Sequence, residues 1–346
     1  HPYTDEMVLV VSNATSQDYA LVWDGSSWGN AQVLASSGTG NDRTDVYVAY
    51  ESLSGDALVA FSQGADTDVH YRVWTGSAWT TESTQATPGG AVGYPRWITL
   101  ASDPNSDQIA MGVVANGADV WLATWTGTGF ADATVATTTA TGTNHPGVAV
   151  AFEAISGQAL ATYGEGVNTP RYRTWTSGSG WSGELSAPDV GGSSNSMMLY
   201  PEPEADGVML AVNDDNSDLN YVYWNGSSWG SPIQLDSNTA EVKNQPFLFL
   251  WNAAVTPDPP PMSTVSGTVF EDVVGDVLAD GTIGDASNPG TAGVDVYLYE
   301  DDGDGNLDAG DTLVGGTPVQ TDVNGAFSFS DLLDGDYFVV VDSKTV

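Results

Sequence analysis

Five short hairpins decide how this chain is read: Trp23-Asp-Gly-Ser-Ser-Trp28, Trp74-Thr-Gly-Ser-Ala-Trp79, Trp125-Thr-Gly-Thr-Gly-Phe130, Trp175-Thr-Ser-Gly-Ser-Gly-Trp181 and Trp224-Asn-Gly-Ser-Ser-Trp229. Their leading tryptophans stand 51, 51, 50 and 49 residues apart. Between them a turn feeds an apolar strand at matching intervals, in Asp56–Phe61, Asp107–Met111, Gln158–Tyr163 and Gly207–Val212, and Glu6–Val11 fits the same slot. Short alternating strands in a repeat of about 50 residues, with no helical period, are the pattern of propeller blades. The fold class is therefore all-β.

Each blade is expected to hold four strands, a to d from the inside out. Strand a falls at Val46–Tyr50, Trp97–Leu100, Val148–Phe152 and Met197–Tyr200, and once more at Phe247–Trp251 with nothing of the repeat after it. The first unit has b, c and d but no a. Pairing the last strand with the first three removes two unpaired sheet edges at once, so residues 1–254 are expected to close as a five-bladed β-propeller.

Composition bounds the surroundings. The 346 residues contain no cysteine, which excludes a disulfide scaffold and thiolate-bound metals. No stretch approaches the ~20 apolar residues of a membrane-spanning helix, and none has the form of a signal peptide. Asp and Glu number 45 against 7 Lys and Arg, a net charge of −38, so nucleic acids and anionic membranes are poor partners. Abundant Gly, Ser, Thr and Asn with only two lysines suits a secreted or cell-surface prokaryotic protein. The run Pro257-Asp-Pro-Pro-Pro261 marks residues 255–262 as an extended linker.

Beyond the linker, residues 263–346 contain strand-like runs at Val265–Phe270, Val294–Tyr299, Pro318–Thr321, Ala326–Phe329 and Tyr337–Val341, the pattern of a small β-sandwich. The segments Val265-Ser-Gly-Thr-Val-Phe-Glu-Asp272, Gly293-Val-Asp-Val-Tyr-Leu-Tyr299, Thr321-Asp-Val-Asn-Gly-Ala-Phe-Ser-Phe329 and Gly335-Asp-Tyr-Phe-Val-Val-Val341 resemble the B-type repeats of Gram-positive serine-aspartate adhesins. The resemblance implies a prealbumin-like fold. Some relatives in that wider family carry a Lys–Asn isopeptide bond from a lysine on an early strand; here Lys344 is the only lysine after the linker, so none is expected.

Within this region Glu300, Asp302, Asp304, Asn306, Asp308 and Asp311 occupy positions 1, 3, 5, 7, 9 and 12 of a calcium loop, with Gly305 at the sharp turn of position 6. Hard Ca²⁺ takes six to eight oxygens, and a loop this acidic repels itself without a cation. Calcium is therefore the expected cofactor. Glu in place of Asp at position 1 and Asp in place of Glu at position 12 depart from the usual grammar. Glu271, Asp272, Asp276 and Asp280 lack that spacing and read equally well as an acidic loop.

In the ring, the hairpin tryptophans are expected to pack between sheets, with Gly supplying the turn. They distantly resemble sialidase Asp-boxes, but the Asp of Trp23-Asp24-Gly25 becomes Thr75, Thr126, Thr176 and Asn225, which does not support that chemistry. Five-bladed glycosidases gather carboxylates from several blades at the start of strand a; here that register reads Arg43, Tyr94, His145, Ser194 and Lys243. With Arg96 two residues inward, Arg43, His145 and Lys243 could form a cationic, anion- or partner-binding patch, or pair locally with Asp42, Asp45 and Glu241. Glu51, Glu153 and Glu202 share a register at the a–b turns and read as solvated. Asn13-Ala-Thr15 and Asn225-Gly-Ser227 fit the glycan-acceptor pattern.

These readings make the chain an extracellular, non-catalytic, modular surface or adhesion protein, whose propeller recognises or packs and whose calcium-loaded domain serves as a stalk. Its partners are then other copies of itself or a surface glycan or protein. A carbohydrate-binding propeller lectin and a subunit of an extracellular fibre, docked acidic domain to cationic ring mouth, are the rivals; a glycoside hydrolase is the weakest. Ring closure has a direct test. Truncation before Phe247 should open the first blade and lower the melting temperature sharply, whereas an unchanged melt would show that 247–251 does not complete it.

Overall fold

The computed structural model describes residues 1–13, 15–37, 44–141, 144–239, 250–251, 263–271, 289–301, 305–332 and 335–344. Among them every regular element is a strand. The chain divides into two compact units, His1–Ala253 and Ala254–Val346.

The first unit is a propeller of successive antiparallel sheets. Blade 1 holds β1 (Met7–Ser12), β2 (Asp18–Trp23) and β3 (Trp28–Ala35); blade 2 holds β4 (Val46–Tyr50), β5 (Ala57–Phe61), β6 (Val69–Trp74) and β7 (Ser83–Gln85). Blade 3 holds β8 (Pro95–Ser102), β9 (Ile109–Ala115), β10 (Val120–Trp125) and β11 (Phe130–Thr137). Blade 4 holds β12 (Val148–Phe152), β13 (Ala159–Tyr163) and β14 (Arg171–Thr176), its outer strand split into β15 (Gly180–Trp181) and β16 (Leu185–Ser186). Blade 5 holds β17 (Ser194–Pro201), β18 (Val208–Asp214), β19 (Leu219–Trp224) and β20 (Ile233–Asp236). The strands anticipated from the repeat are thus present in blades 1 to 5. The pairing of Phe247–Trp251 with β1 lies outside the described residues, apart from Trp251, whose indole N–H donates to the Tyr200 carbonyl at 3.0 Å.

Burial follows position in the ring. In β2 every second residue is buried, as one apolar face requires, whereas β9 and β10 are buried throughout because blade 3 is covered on both sides. Gly112 marks how closely blades 3 and 4 approach: a Cβ there would lie 2.8 Å from Val148 Cγ2. The hairpin tryptophans pack as expected, with Trp74, Trp125, Trp175 and Trp224 between 2% and 4% exposed. A cavity of about 330 Å³ bounded by the inner strands of blades 2 to 5 is lined by apolar side chains and hydroxyls such as Thr44 and Thr99, with no carboxylate among its described residues.

The a–b turn carboxylates correct the sequence reading. Glu51 and Glu153 are 2% and 1% exposed, not solvated. Each accepts an indole N–H from the next blade, Trp125 Nε1 to Glu51 Oε1 and Trp224 Nε1 to Glu153 Oε1, both at 2.6 Å. Ser54 and Ser156 hydroxyls hold the second oxygens at 2.5 Å. Glu6 receives Trp74 Nε1 at 3.0 Å in the same way. Asp107 and Asp206 add a second tie by accepting two main-chain N–H groups each from the preceding blade's turn, at 2.8–2.9 Å. Burial away from water, with no cation in these hydrogen-bonded sets, pushes the Glu51 and Glu153 carboxyls above the usual range.

The second unit has two small sheets. One pairs β21 (Ser263–Thr268) with β25 (Ala326–Leu332); the other sets β22 (Asp295–Glu300) against β23 (Thr312–Leu313), β24 (Val319–Gln320) and β26 (Tyr337–Val341). Val296, Leu298, Phe329 and Leu332 form the apolar layer between them. This is the sandwich expected beyond the linker.

Two outcomes follow from the buried carboxylates. Replacing Trp125 or Trp224 with Phe strips a buried carboxylate of its indole donor and should cost about 1–3 kcal/mol in denaturant unfolding, whereas the same change at the 46% exposed Trp28 should cost little. Asp18, 1% exposed, is pushed up to about 6 by burial, with the Asp45 charge adding to the effect against the Ser12 hydroxyl. Its folded form binds the proton more tightly than the unfolded chain, so stability rises as pH falls through about 6 and is lost as pH rises back. Burial shifts Glu51, Glu153, Asp56 and Asp214 the same way. The propeller should therefore melt higher at about pH 5 than at about pH 7, and Asp18→Asn should reduce that difference.

Candidate functional site

Among the described residues the four grooves between blades 1 and 5 are of two kinds, and they alternate. Between blades 2 and 3, Tyr71 packs on Trp125 and Phe130 with ring centroids 5.4 and 5.3 Å apart. Between blades 4 and 5, Tyr172 packs on Trp224 and Trp229 at 5.7 and 5.6 Å. These two grooves are filled with aromatic rings.

The other two described grooves, 1/2 and 3/4, carry charge. The sequence Tyr71-Arg72-Val73-Trp74 returns as Tyr172-Arg173-Thr174-Trp175, 101 residues later. Strand alternation sends Tyr to one neighbouring blade and Arg with Trp to the other. Arg72 Nη1 donates to the Thr80 carbonyl at 2.8 Å and Nη2 to Glu82 Oε2 at 3.2 Å. His70, two residues back on the same face, has Nδ1 2.7 Å from Glu82 Oε1 and Nε2 3.2 Å from Asp66 Oδ2.

In groove 3/4, Arg173 Nη1 donates to the Ser182 carbonyl at 2.8 Å and Nε to the Tyr163 hydroxyl at 3.3 Å. That hydroxyl donates to Glu184 Oε2 at 3.0 Å. Arg171, in the register of His70, donates from Nε to Glu165 Oε2 at 2.9 Å, approaches Glu184 Oε1 at 3.8 Å and bonds the Ser186 hydroxyl. The arginines are 19% and 25% exposed at Arg72 and Arg171, and Glu82 and Glu184 are 29% and 36% exposed, so these groups face solvent in part.

The opposite wall of each charged groove is a bulged outer strand. In β3 the ladder slips at Asn30 and in β11 at Asp132, and both residues sit at positive φ, 48° and 53°. A bulge of this kind re-aims the groups beside it. Trp79 Nε1 donates across the groove to the Asn30 carbonyl, and Trp175 Nε1 to Asp132 Oδ2, both at 2.8 Å. Arg173 Nη2 also crosses, to the Ala136 carbonyl at 3.3 Å. Trp175 turns to Asp132 where blade 3 has Asp103 at its a–b turn, one methylene shorter than the glutamates of its neighbours.

Arg72, Arg171 and Arg173 were not singled out by the blade-by-blade reading. Of the cationic column that was, Arg43 and Lys243 lie outside the described residues. Arg96 donates from Nη2 to Asn144 Oδ1 at 3.0 Å, and His145 is 9% exposed. With two of the four outside the described residues, the patch as a whole lies outside what the structure describes.

In the calcium-loop sequence, Asp302 and Asp304 lie outside the described residues. Around them Glu300 pairs with Thr312, bringing loop positions 1 and 12 to the same end of a hairpin, and Gly305 takes φ +74°. Asp311 Oδ2 accepts the Asp308 N–H at 2.7 Å, and Asp308 Oδ1 the Gly310 N–H at 2.6 Å. Among the described residues no group of three or more metal-ligating side chains is gathered.

No protein-family profile matches the chain, and neither does any curated protein sequence. Among solved structures it is similar to the BP39L lectin from Burkholderia pseudomallei, at 12% identity and a TM-score of 0.51 over 97% of this chain and 94% of that one. AofleA from Arthrobotrys oligospora matches at 14% identity and 0.44 over 98% and 86%, and a fucoside-bound Aleuria aurantia lectin at 13% and 0.42 over 68% and 80%. At such identities the likeness to BP39L is one of fold, and it places the chain among all-β propellers.

Proposed function

We propose that this chain is a carbohydrate-binding propeller carried by a modular extracellular surface protein, and that grooves 1/2 and 3/4 hold the sugar. One observation carries the reading. In each of the two grooves a partly exposed guanidinium is paired with a carboxylate, Arg72 with Glu82 and Arg171 with Glu165, opposite a bulged strand. Guanidinium and carboxylate together offer the fixed donors and acceptors that a ring of hydroxyls needs. The charges nearly cancel, Arg171 and Arg173 against Glu165 and Glu184, and the surrounding protein is strongly acidic, so a neutral saccharide suits the grooves better than an anionic one. BP39L and the Aleuria aurantia protein are themselves described as lectins, the latter with a fucosylated ligand, which makes neutral fucosylated glycans the first class to try. The adhesive role read from the sequence becomes, on this proposal, glycan attachment.

A glycan array of neutral and acidic structures is the test. Neutral glycans should be retained, and Arg72→Ala with Arg173→Ala should remove binding, each charged hydrogen-bonding group contributing about 1.5–3 kcal/mol. Undiminished binding by the double variant, preference for sialylated or sulfated glycans, or release of cleaved sugar would each overturn the reading.

We further propose that residues 300–311 hold calcium and that the second unit is the stalk. A chelator should then lower the melting of that unit alone, since binding at a hundredfold excess over Kd adds about 2.7 kcal/mol. Asp302→Asn with Asp304→Asn should abolish the difference; identical calorimetric melts with and without chelator in the parent chain would rule it out.

A further inference from the structure

The cavity enclosed by the inner strands takes no part in the grooves, and its chemistry is of another kind. Its walls come from β4, β8, β12 and β17, each the terminal strand of its own sheet, with one edge left unpaired within that sheet. In a chain of net charge −38, no described residue that lines it carries a charged side chain.

Small side chains make the room. Counted back from Glu51, Asp103, Glu153 and Glu202 at the a–b turns, the fourth residue is Tyr47, Thr99, Ala149 or Met198, and the second is Ala49, Ala101, Ala151 or Tyr200. All of the first set line the void, and so do Ala101 and Ala151 of the second. Trp97, Phe152 and Met197, also in its walls, are 3% exposed or less, so the lining is packed from behind and holds its shape.

Water suits this space poorly. Each ordered water needs two to four polar partners, and an apolar cavity of about 150 Å³ stays dry and admits benzene. The axial cavity, at about 330 Å³, falls at the lower end of the range for ligand pockets, about 300–1,000 Å³. Several polar groups on its walls are already engaged. The Ile98 N–H donates to the Thr44 carbonyl at 2.9 Å, the Met197 N–H to the Pro146 carbonyl at 3.1 Å, and the Ser102 hydroxyl to the Tyr50 carbonyl at 2.5 Å. Tyr47 and Thr99 interact through their hydroxyls, and burial holds the Tyr47 phenol above the usual tyrosine range, so it stays neutral and able to donate. Met197 and Met198 give the wall polarisable side chains that adapt to a flat guest.

We infer that the axial cavity is a binding site for a small, uncharged cyclic molecule carrying one hydroxyl or ring N–H, of the size of a cresol or an indole. Its apolar body lies against Ala101, Ala151 and Met198, and its polar atom meets Tyr47 and Thr99. The site goes beyond the saccharide reading and is separate from the grooves, since nothing in it corresponds to their guanidinium and carboxylate. The propeller then takes two chemically opposite ligands, a sugar between blades and an apolar ring at the axis.

Isothermal titration of the full chain with p-cresol, toluene and benzoate tests this. One p-cresol should bind per chain, and toluene about tenfold more weakly, the worth of one net hydrogen bond. Benzoate should not bind measurably, because a buried charge without a partner is costly. Thr99→Val should bring p-cresol down to the affinity of toluene and leave toluene unaltered, a split that misfolding cannot produce. Ala101→Leu fills part of the void and should weaken both ligands. Absence of saturable p-cresol binding, benzoate binding as tightly as p-cresol, or displacement of p-cresol by methyl α-L-fucoside would each overturn the inference. So would a Thr99→Val chain that binds p-cresol and toluene as the parent does.

Discussion

An indole N–H donated across a seam to a buried carboxylate is the interaction on which the propeller's geometry depends. Blades touch through apolar side chains, and apolar contact alone is non-directional. The bonds from Trp125 to Glu51 and from Trp224 to Glu153, at 2.6 Å, give each seam a fixed point. They hold because the carboxylate has a second donor, a serine hydroxyl four residues or fewer along the same turn, so burial leaves neither oxygen bare. A buried charge met only by neutral donors remains costly, and the upward shift of both carboxyls records that cost. In return the register between blades 2 and 3 and between blades 4 and 5 is set.

Much of this was legible in the sequence. The 50-residue spacing of hairpin tryptophans, the alternation of β2 and the turn glycines specify blades because each depends on residues close together in the chain. The misreading of Glu51 and Glu153 has the opposite origin. A glutamate in a turn looks solvated when judged by its neighbours, and its indole partner is 74 or 71 residues away. The charged grooves escaped for a related reason. A single-blade period compares Arg72 with Ala123 and finds nothing, whereas a two-blade period compares it with Arg173. The signal was present as Tyr-Arg-x-Trp at 101-residue spacing.

The chain of net charge −38 has seven Lys and Arg in all. Three of them lie on the groove-facing side of strand c in blades 2 and 4: Arg72 pairs with Glu82 and Arg171 with Glu165, while Arg173 reaches Glu184 through the Tyr163 hydroxyl. The aromatic grooves beside them are closed by Tyr71 and Tyr172 and serve as rigid walls.

The alternation has a consequence of parity. Grooves that come in two kinds can alternate without fault only around a ring with an even number of blades, and this one has five. Blades 2 and 3 form one copy of a pair and blades 4 and 5 another, so blade 1 stands outside the duplication. Whatever seam joins blade 5 to blade 1 must place two grooves of one kind side by side. Growth by further doubling would add about 100 residues at a time and keep the count odd. A seven-bladed descendant with a third charged groove is therefore the natural extension of this architecture, and a six-bladed one is not.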